Sequence, residues 1–220
     1  MSNPAIEKVY IDTNILINYS LGKEKVGKEE HFAIAKKVFE DAINGNYKIA
    51  ISNFLLSETL HALRQIATRS AYKELEGQLS QGQLINIANS GGFQSEINKE
   101  SWNAFREIVE KVTSDPRHFV LETEKQTYSG ALFQEGLNVL VTTFGDLRVF
   151  RYRCKRCDRY VECLNCMTNS EITYKGVNAP DLTHVSIAQV LGCSRFLTMD
   201  QYFDKISDKV DVKIEVLRVR

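Results

Sequence analysis

Short apolar runs in this chain are each tied, within a few residues, to stretches of helical spacing, and that alternation limits the folds open to it. Lys8–Ile11 (KVYI) leads into Asp12-Thr13-Asn14, whose side-chain oxygens can cap the helix that ILINY begins. Lys48–Ile51 (KIAI) leads into Ser52 and Asn53, either of which can cap a helix carrying Phe54, Leu55, Glu58, Leu60, Ala62 and Leu63. Between these units residues 21–30 read as a mixed-charge loop. Phe32, Ala35, Val38, Phe39, Ala42 and Ile43 then recur at threes and fours, and Gly45 follows as a stop. Parallel strands need crossover connections, which helices supply, so the pattern predicts an α/β fold with a central parallel sheet flanked by helices.

Further along, residues 72–87 are helix-prone but interrupted by Gly77 and Gly82, and Ser90-Gly91-Gly92 breaks the pattern. A helix is expected over about 99–113, with Trp102, Phe105, Ile108, Val109 and Val112 as its apolar stripe. Phe119–Leu121 (FVL) reads as a strand, and residues 128–137 as a helix with Leu132, Phe133 and Leu137 facing inward. From 139 to 177 the character changes to β-branched and aromatic residues around a cysteine cluster, which predicts an inserted β-hairpin. The core pattern resumes at Asn178-Ala179-Pro180-Asp181, with a helix to about 191, Gly192 as its stop, and the strand RFLTM ending at Asp200. A last strand is expected over 212–219. The expected organisation is therefore one core built from residues 1–138 and 178–220, with 139–177 inserted.

With 220 residues, 43% of them hydrophobic, the chain can bury a substantial core. Lys+Arg and Asp+Glu both total 28, so no global field attracts a polyanion, and nucleic-acid binding must come from local patches. The N-terminus lacks a basic start followed by an apolar run. No segment approaches the roughly 18 apolar residues of a membrane span. A soluble cytoplasmic protein without membrane attachment is expected, and in that compartment cysteines serve as metal ligands or buried thiols more readily than as disulfides.

Four acids stand at informative places. Asp12 ends the first strand, Glu58 is expected in the first turn of its helix, Asp181 opens a helix, and Asp200 ends the RFLTM strand. Sites in open parallel sheets form beyond the carboxyl ends of the strands, where Asp12 and Asp200 lie. Each acid alone is explained by capping or a turn. As a set, buried carboxylates repel unless a cation neutralises them, and hard divalent cations such as Mg²⁺ or Mn²⁺ prefer such oxygens. Thr198 shares the face of Asp200 and its hydroxyl can orient a carboxylate, although strand propensity also accounts for it. His61 and His184 follow Glu58 and Asp181 by three residues and could approach the acidic pocket as base or phosphate donor, although each reads most simply as a partly buried, hydrogen-bonded histidine. Asp204 is expected to face solvent.

The segments VYIDTNILINY, SNFLLSETLHAL, APDLTHVSIAQ and FLTMDQYF resemble the PIN-domain nucleases, which include VapC-type toxins and RNA-processing relatives; the matches span 8–66 and 178–206. The resemblance implies a three-layer α/β domain whose acidic pocket binds Mg²⁺ or Mn²⁺ and cleaves single-stranded RNA. It places Asp12, Glu58, Asp181 and Asp200 in that pocket as metal-binding and catalytic residues, with Asn14 as a polar helper. The expected activity is that of a metal-dependent endoribonuclease in which the cation activates water and stabilises the leaving oxyanion. VapC-type toxins are more compact and lack a four-cysteine insertion, so RNA maturation or turnover fits equally well. DNA as substrate, a non-catalytic RNA-binding role, a homodimer and an antitoxin-like protein partner all stay open.

Cys154-x-x-Cys157 and Cys163-x-x-Cys166, five residues apart, form two chelating pairs that can close a tetrahedral, structural Zn²⁺ site, with disulfides as the rival. Arg148, Arg151, Arg153, Lys155, Arg156 and Arg159, interleaved with Phe150, Tyr152 and Tyr160, can contact RNA phosphates and stack on bases. The same cations can instead offset the net charge of a four-thiolate zinc site. Cys193 reads as a buried thiol.

Overall fold

The computed structural model describes residues 6–26, 29–76, 83, 94–121, 150–154, 172–177 and 179–218. The elements in chain order are β1 (Lys8–Ile11), α1 (Thr13–Val26), α2 (Glu29–Ile43), β2 (Lys48–Ile51), α3 (Asn53–Glu76), α4 (Gln94–Ser114), β3 (Phe119–Leu121), β4 (Phe150–Cys154), β5 (Ile172–Gly176), α5 (Ala179–Val190), β6 (Arg195–Thr198), a 3₁₀ turn (Gln201–Lys205) and β7 (Lys213–Val216). Five strands form one sheet in the order β3-β2-β1-β6-β7, and every pairing in it is parallel. The fold is α/β with helices flanking this sheet, as the strand–helix alternation requires.

The strands are short but heavily apolar, as strands covered on both faces must be. Val9, Tyr10, Ile11, Ile49 and Phe196 are each 0% exposed. Tyr10 and Phe196, paired across β1 and β6, stack with centroids 6.1 Å apart, and on that side Tyr10 meets His184 of α5 and Phe196 meets Phe203 of the 3₁₀ turn. On the other side Phe39 of α2 contacts Phe119 of β3 and stacks on Tyr19 of α1 at 3.7 Å. Rings from α2 and α5 thus close the two faces of one sheet. The opposite, amino-terminal side of the sheet is tied by charge. Arg195 grips Glu7 with two hydrogen bonds of 2.8 Å, reaches Glu215 at 2.9 Å, and lies over the Tyr47 ring.

Several local expectations need correction. Residues 21–30 are not one loop: α1 continues to Val26 across a break at Gly22, whose φ of 70° and ψ of 178° no other residue adopts cheaply. The helix expected over 99–113 begins at Gln94, and the final strand is confined to Lys213–Val216. Trp102 is 55% exposed and so leaves the stripe in which Ile108 and Val112 are buried. Gly45 (φ 80°) and Gly192 (φ 64°) do stop α2 and α5 in left-handed conformation.

Within the expected insertion, β4 and β5 pair antiparallel from Phe150↔Gly176 to Cys154↔Ile172 and belong to no other sheet. The helix expected over 128–137 lies outside the described residues. Among the described residues, no helix is long and apolar enough to cross a membrane.

Candidate metal centre

Strand order reverses between β1 and β6, since the chain runs outward from β1 through β2 to β3 and then returns to place β6 on β1's other side. Ligand sites of open α/β sheets form in the crevice beyond the carboxyl ends at such a reversal. Asp12 sits there, directly after β1, and its N–H donates to the Leu197 carbonyl of β6 at 2.9 Å. Glu58 arrives from α3, which Ser52 caps by accepting the Leu55 N–H at 3.0 Å. It occupies the second turn, not the first, because the helix already begins at Asn53. His184 arrives from α5. One ligand atom from each of Asp12, Glu58 and His184 lies within 4.8 Å of the others.

The hydrogen bonds around these side chains converge on one oxygen of each carboxylate. Asp12 Oδ2 accepts from Thr198 Oγ1 at 2.6 Å and from Asn14 Nδ2 at 2.6 Å. Glu58 Oε2 accepts from Thr13 Oγ1 and meets His184 Nε2 at 2.6 Å. Asp12 Oδ1 and Glu58 Oε1 receive no hydrogen bond from the described residues, and Asn14 Oδ1 is buried without a partner. A buried oxygen lacking a donor, as Asn14 Oδ1 is, is costly unless something outside the side chains satisfies it. A hard cation does so, and oxygen donors are the ligands Mg²⁺ and Mn²⁺ prefer.

Charge at the site points the same way. Burial, then the charges of Glu58 and Asp200, push the Asp12 carboxyl above the usual range against His184 and the Thr198 hydroxyl. Burial also raises Asp200, opposed by the hydrogen bond from the Tyr202 N–H. For Glu58 burial alone would raise it, but the hydrogen bonds from His184 and Thr13, with the charge of His184 and His61, outweigh burial and hold it low. The residues present fit a divalent cation.

Of the residues singled out in the sequence, Asp12 and Glu58 therefore meet at the centre. Asn14 donates to Asp12. Thr198 is fully buried and orients Asp12 while accepting the Asp200 N–H at 3.0 Å. Asp200 lies close enough to raise Asp12 but caps the 3₁₀ turn through Oδ1, 2.8 Å from Tyr202 N. Asp181 is half-buried in the first turn of α5 and is not in the 4.8 Å group. Asp204 is exposed and pairs with Arg218, and His61 is exposed. Cys193 is buried, which pushes its thiol up to about 12. Cys154, Arg151 and Arg153 lie on β4. Cys157, Cys163, Cys166, Arg148, Lys155, Arg156 and Arg159 lie outside the described residues.

His184, read from sequence as partly buried, is instead 0% exposed and central. The available signal was a polar pair: a histidine flanked by Val185, Ile187 and Ala188 in the helix DLTHVSIAQVL, and a tyrosine inside an apolar strand, each needing a partner once buried. They are each other's partner, with Tyr10 Oη 3.1 Å from His184 Nδ1. No family model matches the chain, and no curated protein matches it.

Proposed function

We propose that the chain is a Mg²⁺- or Mn²⁺-dependent endoribonuclease of the PIN-domain kind, hydrolysing single-stranded RNA. The observation that carries this reading is the meeting of Asp12, Glu58 and His184 within 4.8 Å at the sheet's topological reversal, with carboxylate oxygens left free of donors. The strand order, with an all-parallel sheet, suits the same fold class.

A bound divalent cation supplies Lewis-acid chemistry there, offsetting phosphodiester charge and lowering the pKa of water. The chain's own contribution is orientation. Thr198 and Asn14 hold Asp12, Thr13 and His184 hold Glu58, and Asp200 and Asp181 add acidic groups from the start of neighbouring elements. No protein nucleophile is needed. The basic residues of β4 and its flanks serve the RNA backbone, and the four cysteines close a structural zinc knuckle.

Incubating the protein with labelled single-stranded RNA, with and without Mn²⁺, tests the reading. Cleavage should require the cation and fall at least about a hundredfold in Asp12→Asn, because several kcal/mol of transition-state stabilisation is lost. Equal cleavage by that variant overturns the assignment. RNA bound but uncut by the wild type favours a binding module, and preferential cutting of matched DNA shifts the substrate class.

A further inference from the structure

We infer that His184 is a positioning residue and not a metal ligand: its Nε2–H clamps Glu58 through Oε2 beside Asp12, leaving an all-oxygen site for a hard divalent cation. The inference rests on the proposed cation at this site and says what holds the site in shape.

His184 Nε2 lies 2.6 Å from Glu58 Oε2. A carboxylate only accepts hydrogen bonds, so an unprotonated Nε2 at that distance would set lone pair against lone pair. Nε2 therefore carries the hydrogen, and a nitrogen that carries hydrogen has no lone pair for a cation. Nδ1 is committed as well, at 3.1 Å from Tyr10 Oη, which is itself 2.5 Å from Ser52 Oγ. Ser52 Oγ accepts the Leu55 N–H that caps α3. A continuous chain thus runs from the start of α3 through Ser52, Tyr10 and His184 back to Glu58 on the same helix. The ring itself is wedged: Phe54 meets it edge-on at 4.8 Å and Tyr10 lies tilted at 5.7 Å. Rotating it to offer a lone pair would break the Glu58 bond inside a site that is 0% exposed at this residue.

The consequence is selectivity. A donor set including imidazole suits zinc and other late transition metals, whereas carboxylate and amide oxygens alone suit Mg²⁺ and Mn²⁺. Holding Glu58 in place also predicts a size of effect, since partners that orient ligating groups are worth about 10- to 100-fold in metal affinity.

Electron-spin-echo spectroscopy of the Mn²⁺-loaded 220-residue chain, beside Mn²⁺ titration calorimetry on wild type, His184→Ala and His184→Gln, tests this without RNA. The Gln amide places a donor near the Nε2 position. Expected are no coupling from a directly bound imidazole nitrogen, a loss of about 10- to 100-fold in Mn²⁺ affinity for His184→Ala, and recovery of most of it in His184→Gln. A bound-nitrogen coupling, a Gln variant as weak as Ala, or no Mn²⁺ uptake at millimolar concentration overturns the inference. Should His184→Ala fail to fold, nitrogen-15 histidine spectra of the metal-free wild type decide it, because a bare Nε2 contradicts the clamp. Protein that takes up Mn²⁺ as expected yet leaves RNA intact refutes the nuclease reading alone.

Discussion

The surroundings of Asp12 resist a charge on its carboxyl. Burial and two neighbouring acids raise its pKa, while Thr198 and Asn14 each donate to Oδ2 at 2.6 Å and would serve an amide oxygen equally. Replacing the acid by its amide keeps both bonds and removes the repulsion, as at other sites where function opposes stability. Asp12→Asn should therefore raise the melting temperature in EDTA by about 2–4 °C, corresponding to about 1 kcal/mol for a chain of this length. The sign with pH follows from the raised folded value: the wild type takes up a proton as pH falls through it and is relieved, so the gap between the two proteins narrows on acidification. Calorimetry at two pH values reads both effects, and an Asn variant less stable than wild type in EDTA contradicts this account of the charge.

At the scale of elements, Ser52 joins a helix cap to the polar chain in the core. Its Oγ accepts the Leu55 N–H at 3.0 Å and pairs with Tyr10 Oη at 2.5 Å. Ser52→Ala loses a cap worth about 1 kcal/mol and leaves the Tyr10 hydroxyl short of a partner, so urea unfolding should show a loss of about 2–3 kcal/mol. Tyr10→Phe in that background should cost less than it does alone, because one of the two hydroxyl partners, Ser52, has already gone while His184 remains. Across the sheet, Arg195 holds the Glu7 carboxyl below 4.5 chiefly through its hydrogen bond, aided by Ser194. A lowered folded pKa gives stability that is present above the unfolded value and lost as pH falls through the folded one. Glu7 is more than a third exposed, so Glu7→Gln should cost no more than about 1 kcal/mol at pH 7, a difference that disappears in acid. The strands and helix stops that frame the site were legible in sequence because buried strands need apolar runs and left-handed stops need glycine, as KVYI, KIAI, Gly45 and Gly192 show. Glu58 and Asp12 could be picked out for the same reason, each following such a run. His184 could be placed near the acids by its i,i+3 spacing from Asp181, but its full burial could not, because that spacing says nothing of the Tyr10 hydroxyl a long way off in sequence that makes the burial tolerable. Trp102 shows the converse limit: periodicity finds the stripe of α4 but not how much of each residue on it is covered, and Trp102 is 55% exposed.

Taken whole, the molecule separates a parallel core from an antiparallel ribbon. Every strand of the large sheet lies outside residues 139–177, and β4 and β5 pair only with each other. If the ribbon carries the zinc knuckle, elemental analysis of freshly reduced protein should find one zinc per chain, and EDTA strong enough to strip the hard-cation site should leave that zinc largely in place, thiolates being the tighter ligands. A value near zero removes the knuckle. A divalent cation is proposed beyond the carboxyl ends of β1 and β6, beside Asp12 and Glu58. Crystals soaked in Mn²⁺ and measured at the manganese absorption edge should give an anomalous peak within bonding distance of Asp12 and Glu58, lost in Asp12→Asn. A well-ordered site with no peak at millimolar Mn²⁺, or a peak that persists in the variant, contradicts it.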